Sequence, residues 1–410
     1  MPSLSPEDKQ KLALQVSRVF TPAAPINEKD LFAGRTDHVR RVIDALHQRG
    51  QHVIIFGERG VGKTSLANVL TGFVRDIILS PRVNCDAADN YSSVWTKVFS
   101  DIVLARKKRG TGFVGEDAEE ATRLIDELPK KITPEIVRQT LTVIGADTLM
   151  IVIVDEFDRL QEEEVRRLFA DTIKTLSDHA VRVTLVLVGV ADTVDALIKE
   201  HHSIERALVQ VQMPRMSRHE LEEIVTKGLQ RLSMTIEAPA LQRLSLLSQG
   251  LPHYTHLLAL YAAREAIDKG ADEINLDHVI AAITTAVKQA QQSIRSVYHT
   301  ATMSPRQGNL YARVLLACAL ADTDDLGYFA PSDVRDPLSR IMKKRYEIPS
   351  FARHLNIFCD DERGPVLQKS GIPRRYRYRF VNPLLQPFVI MQGIVDGLVT
   401  EPAVEDQAHS

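Results

Sequence analysis

Residues 52–73 read HVIIFGERGVGKTSLANVLTGF. An apolar run of strand length gives way within a few residues to a helical pattern, and the turn between them carries Gly57, Gly60 and Gly62. Glycines let a backbone fold tightly enough for successive N–H groups to converge, and the following helix aims its positive dipole end at the same point. Converging donors call for an anion. Gly57, Gly60, Gly62, Lys63 and Thr64 fit G-x-x-x-x-G-K-[ST], with Glu58, Arg59, Val61 and Ser65 completing the loop. In that pattern the lysine reaches the β- and γ-phosphates of a nucleotide and the hydroxyl ligates Mg²⁺.

Further strand-like runs follow at RVNCD (82–86), LMIVIV (149–154), VRVTLVLVG (181–189) and the alternating ALVQVQM (207–213). Between them the spacing is helical, as in Val165, Leu168, Phe169, Ile173 and Leu176; Val39, Val42, Ile43 and Leu46 precede the first strand in the same way. Strands alternating with helices predict a parallel α/β sheet. In IVIVDEFDRL (151–160) four apolar residues run into Asp155 and Glu156. A carboxylate at the C-terminal end of a central strand holds Mg²⁺ through water, and the next one orients the attacking water. Asp155 fits the first role and Glu156 the second. Asp158 is read either as a cap of the next helix or as a further catalytic acid.

From MPRMS (213–217) to about residue 297 the pattern is helical throughout. Ser217 and Glu220 form a capping box, and Pro252 suits a first helical turn. HTATMSPRQGN (299–309) reads as a linker; beyond it come three helices and a strand-rich end. The expected organisation is an arm at 1–27, an α/β core at 28–213, a helical lid at 214–298, a third domain at 299–398 and a disordered tail at 399–410.

Composition bounds the setting. Cys85, Cys318 and Cys359 are far apart and lack metal-ligand spacing, which predicts a reducing compartment. The polar start MPSLSPEDKQK is unlike a signal peptide, and no apolar run is long enough for a bilayer. A cytoplasmic protein without membrane partners is expected.

The order LFAGRTDHV, GERGVGKTSL, VDEFDRL, LVLVGVADT, GLPHYTHLL resembles the AAA+ and STAND branch of P-loop ATPases, over about residues 28–295 with a further match downstream. Within that branch it is most similar to origin-recognition-type initiator ATPases and related prokaryotic ATPases. The resemblance implies that Gly34 and Arg35 lie against adenine and that the site prefers ATP; a surface charge leading a helix is the other reading of Arg35. It also implies a polar sensor after the fourth strand, for which GVADT offers Asp192 or Thr193. An arginine finger acting on a neighbouring subunit is expected before the fifth strand, and Arg206 is the candidate, with an internal salt bridge as the alternative. Where such lids carry a sensor arginine in G-[DN]-x-R, this chain has GLPHY. A Gly-x-Pro there is the habit of STAND switches, and it would bring Pro252 and His253 towards the phosphates. Strong holding residues beside uncertain trans-acting ones imply a slowly hydrolysing switch rather than a motor.

Residues 340–379 hold eleven Lys/Arg against four acids, in a chain whose net charge is −2. In IPSFARHLNIF (348–358), Phe351, Leu355 and Phe358 form one stripe and leave Arg353 outward. In RRYRYRF, Arg375, Arg377 and Arg379 share one face and Tyr376, Tyr378 and Phe380 the other; Arg374 sits in the turn before them. Three helices and a β-wing resemble a winged helix. Its basic surface predicts duplex DNA as a partner through Arg353, Arg374, Arg375, Arg377 and Arg379. The alternative is a STAND-type signalling ATPase whose winged helix docks a protein or a second copy of the chain. A second basic run, ARKKRGTG (105–112), reads as a solvated loop or a DNA-contacting insertion.

Overall fold

The apolar runs before the glycine turn and before the paired acids enter one parallel sheet. The computed structural model describes residues 6–24, 35–73, 77–108, 118–146, 149–198, 204–305 and 308–399. Helices α1 (Pro6–Val19) and α2 (Thr36–Leu46) precede strand β1 (His52–Gly57), and the turn leads into α3 (Lys63–Phe73). Then come β2 (Ile77–Leu79), β3 (Arg82–Asn84), α4 (Tyr91–Ser100), β4 (Val103–Lys108), β5 (Ala118–Arg123) and α5 (Pro134–Ile144). The acids end β6 (Leu149–Asp155), followed by α6 (Glu163–Asp178), β7 (Val183–Val190), α7 (Val194–Leu197) and β8 (Leu208–Gln212). The strand order is β2–β6–β7–β1–β8, with β3 also on β6, and every pairing is parallel.

Both faces of this sheet are covered, which is why its strands are apolar throughout instead of alternating. Ile54, Val152, Val154, Leu185 and Leu187 pack with Trp95, Phe99 and Phe169 from α4 and α6. Val53, Ile55, Ile151, Ile153, Val186 and Val188 join a second cluster with α2, α3 and everything that follows the sheet. Those later elements are α8 (Arg218–Arg231), β9 (Thr235–Ile236), α9 (Ala238–Leu247), α10 (Pro252–Asp268), β10 (Glu273–Ile274) and α11 (Leu276–Lys288). Then follow α12 (Gln292–Thr302), α13 (Tyr311–Ala319), α14 (Pro331–Met342), α15 (Ile348–Ile357), β11 (Leu367–Ser370), β12 (Arg377–Phe380) and α16 (Leu385–Val395). The fold is an α/β P-loop NTPase core with a helical lid and a C-terminal winged-helix arrangement of α13–α15 with the β11–β12 hairpin.

Five elements differ from the sequence reading. Much of the expected arm is α1, started by Pro6 with Glu7 and Asp8 in its first turn. Val16 and Phe20 bury it against the lid, where a Cβ on Gly228 would stand 2.5 Å from the Phe20 ring. The lid carries the short parallel pair β9–β10 between its helices. The expected linker is shortened, because α12 continues to Thr302. The basic run at 105–108 lies in an antiparallel β4–β5 hairpin that sets Arg106 opposite Glu120 and Lys107 opposite Glu119, so opposite charges favour pairing over a loop; residues 109–112 lie outside the described residues. The expected strand-rich end closes instead with α16, whose residues Leu385 through Met391 are all buried.

Candidate functional site

The C-terminal edges of β1, β6 and β7 meet at a cavity of about 870 Å³. Gly57 leaves β1 at φ +149, and a Cβ there would come 2.3 Å from the Met213 carbonyl oxygen. Only glycine lets the loop pass so close to the strand–lid junction. Gly60 and Gly62 also take positive φ, at +88 and +96. Lys63, 8% exposed, folds back so that Nζ donates to the carbonyls of Gly57 (2.9 Å) and Glu58 (2.7 Å). Burial pushes its pKa down to about 8, against the pull of Asp158, Asp155 and Glu58. Thr64, Ser65 and Arg59 line the same cavity. Val61, buried at 0%, anchors the loop in the core.

Asp155, 3% exposed, ends β6 beside the loop. Its Oδ1 accepts the N–H of Glu156 at 2.8 Å and its Oδ2 accepts Arg82 Nη2 at 2.7 Å. Glu156 sits at φ +55, half exposed, and pairs with Arg159 at 2.9 Å. Asp158 does not cap the next helix, since α6 starts at Glu162 without a side-chain cap. Its Oδ1 accepts the Val190 N–H at 2.8 Å and ties the end of β7 to the acidic loop. Arg82 was not singled out in the sequence; its place beside Asp155 depends on β3 pairing with β6. The only local signal is a charged residue opening an otherwise apolar strand.

The other wall comes from the lid and the arm. Pro252 opens α10, and its Cγ would lie 3.8 Å from a Cβ at Gly62. His253 lines the cavity, with Nδ1 donating to the Pro22 carbonyl at 2.7 Å; burial lowers its pKa. Arg35 is not a surface charge: it is 3% exposed, takes φ +58 and donates through Nη2 to the Pro214 carbonyl. Its backbone N–H reaches Glu220 at 3.2 Å, so one residue joins core to lid. Gly34 lies outside the described residues. His256, absent from the sequence reading, lines the cavity as well.

The C-terminal elements press on this site. Leu384 lines the cavity, and its carbonyl accepts the Tyr254 hydroxyl at 2.6 Å. Glu58 of the loop receives Arg215 through two bonds of 2.7 and 3.0 Å, and Arg215 also donates to Gln386 of α16 at 2.6 Å. Asp192, just past β7, accepts Arg379 of the wing and the Tyr328 hydroxyl (3.3 Å). Arg377 pairs with Asp324 at 2.7 Å. Arg353, Arg374 and Arg375 are exposed, with Arg374 at φ +71 in the wing turn. Arg206 does not join the cavity: its carbonyl accepts Gln51 at 2.8 Å beside the start of β1, about 20 Å of strand away from the loop.

Backbone donors freed from a helix start, a buried lysine bonded only to carbonyls, a hydroxyl and a strand-end carboxylate form a donor set suited to a polyphosphate with a hydrated divalent cation. The cavity is within the usual size for a nucleotide-scale ligand. Glu156, one residue on, is placed to take a proton from water once free of Arg159.

Among solved structures, the chain is similar to the Walker-type ATPase PABY2304 of Pyrococcus abyssi, at 15% identity and a TM-score of 0.52, covering 90% of this chain and 99% of that one. That likeness is one of fold. Cdc6p from Pyrobaculum aerophilum matches at 13% identity and a TM-score of 0.47, over 93% and 99% of the two chains. The Aeropyrum pernix ORC1 protein, solved in complex with DNA, matches at 14% and 0.47, over 93% and 97%. A search of curated protein sequences returned no match. The family model described as Novel STAND NTPase 1 matches residues 24–325, from the arm through the sheet and lid into the third set of helices. The chain therefore belongs to the Novel STAND NTPase 1 family of nucleotide-binding P-loop ATPases.

Proposed function

We propose that this protein is a slowly hydrolysing, Mg²⁺-dependent ATPase that works as a nucleotide-controlled switch. The observation that carries the reading is the joint lining of one cavity by the glycine loop, the strand-end acids, the lid and Leu384 of the C-terminal elements. A ligand bridging all four favours one arrangement over another by differential contact. Gly57 through Ser65 hold the phosphates, with Thr64 and Asp155 serving Mg²⁺ and Lys63 the phosphate charge. Bound Mg²⁺ neutralises the phosphates and polarises the one attacked. Glu156 orients the water, and Gly34, Arg35, Pro252 and His253 close on the nucleotide. Arg206, remote from its own cavity, is assigned to the site of a neighbouring copy. The unit boundaries follow as 28–213, 214–298 and 299–398, with a cytoplasmic setting.

The output of the switch is duplex DNA binding by the basic face of Arg353, Arg374, Arg375, Arg377 and Arg379. Duplex affinity should be higher with a slowly hydrolysed ATP analogue than with ADP, and its logarithm should fall linearly with the logarithm of salt. Arg375→Ala should weaken binding at every sequence and reduce the slope by about 1. Fluorescence anisotropy at several salt concentrations reads both. Binding without nucleotide dependence, or a slope near zero, removes DNA as the output. A specific observation favours the second reading, a signalling ATPase that docks a protein: Arg377 and Arg379 are already paired with Asp324 and Asp192. In that case the wing serves mainly to hold the closed form.

A further inference from the structure

The glycine loop accounts for one part of the cavity. Another part is lined by Pro22, Met213, Met216, Ile224 and His256, a mostly apolar surface with one imidazole. His256 is 6% exposed, and neither ring nitrogen has a hydrogen-bond partner. Phe20 meets its ring edge-on at 6.0 Å, which holds it without satisfying it. Among the described residues, two buried side chains with unpartnered nitrogens line the cavity. Arg35 is one, but its Nη2 is bonded to Pro214; His256 is the other and is bonded to nothing. Its neighbour His253, by contrast, is held by Pro22.

A buried polar group without a partner is costly and rare, and in a native fold it calls for a ligand. Burial pushes the His256 pKa down to about 4, so the ring is neutral at pH 7 and offers one N–H donor and one acceptor. That pair of functions suits the edge of a purine, which carries both amino or oxo groups and ring nitrogens. Phosphate suits it poorly, because only one of the two nitrogens could serve an acceptor-only ligand. We infer that His256 is the base-reading residue of this site, bonding the purine edge of the nucleotide that the loop holds by its phosphates. The inference rests on the nucleotide reading above and adds a specificity residue to it.

Calorimetric titration with Mg·ATP and with inorganic tripolyphosphate separates base from phosphate. His256→Phe should weaken ATP about tenfold, the effect of one buried hydrogen bond, and leave tripolyphosphate unchanged. His256→Gln, which keeps a donor and an acceptor, should stay within about threefold of wild type for ATP. The melting temperature of His256→Phe should hold or rise, since an apolar ring removes an unsatisfied group. ATP binding by His256→Phe at wild-type strength, or equal loss of ATP and tripolyphosphate, overturns the inference. On the unaltered protein, the ring ¹⁵N resonances of His256 should shift with ADP and not with tripolyphosphate; resonances that ADP leaves unmoved overturn it too. A wild-type chain that binds tripolyphosphate but gains nothing from the nucleoside refutes base reading while sparing the phosphate site. A chain that binds neither ends both.

Discussion

Lys63→Ala should reduce ATP affinity by about 100-fold or more, because the loop then loses its buried, charge-assisted contact to the phosphates. Fold stability should change far less. In the free protein Nζ bonds only to the carbonyls of Gly57 and Glu58, and those face a loop that water reaches once the side chain is gone. The same lysine gives a pH signature. Its pKa in the free protein is pushed down to about 8, and bound phosphate raises it by favouring the charged form. Between those two values binding takes up a proton. Affinity should therefore be at its full value below about pH 8 and fall by up to tenfold per unit above it. Calorimetry across pH 6.5–9.5 (about three units) checks both statements. Retained tight binding in Lys63→Ala, or affinity that rises above pH 8, contradicts the role.

Glu156→Gln should bind ATP as wild type does and hydrolyse it at least about 100-fold more slowly, the usual loss when a general base is removed. Gln keeps the size of the side chain and its tolerance of the φ +55 backbone, but it cannot accept the proton. The Arg159 partner at 2.9 Å is exposed, so losing that pair costs little stability. Single-turnover hydrolysis beside equilibrium binding separates the two effects. Hydrolysis at the normal rate would assign the water to another group, with Asp158 next in line by position. Asp158 is committed to the Val190 N–H, however, so its removal should disturb the β7 end as well as turnover.

The strands and the glycine loop were legible because their signals are local. A parallel strand covered on both faces must be apolar along its length, and LMIVIV has no other stable use in a soluble core. The glycine spacing is dictated by positive φ and close approach at Gly57, Gly60 and Gly62. The capping box at Ser217 and the Pro252 helix start are equally local. What escaped was long-range. Helix α16 is apolar all round, so periodicity could not tell it from a strand. Helix α1 draws its stability from Val16 and Phe20 reaching the lid. Arg82 beside Asp155 and His256 in the cavity have no sequence spacing that marks them. The alternation in RYRYRF was read correctly, with Tyr378 and Phe380 buried. It could not show that Arg379 finds its carboxylate at Asp192, far away in the chain.

The most direct test is an experimental structure with Mg²⁺ and a slowly hydrolysed ATP analogue. The expected result has the β- and γ-phosphates within hydrogen-bond reach of Lys63 Nζ, with one metal ion on the Thr64 hydroxyl and joined through water to Asp155. A triphosphate bound elsewhere, or a metal ion that touches neither the loop nor the β6 acids, would contradict the account.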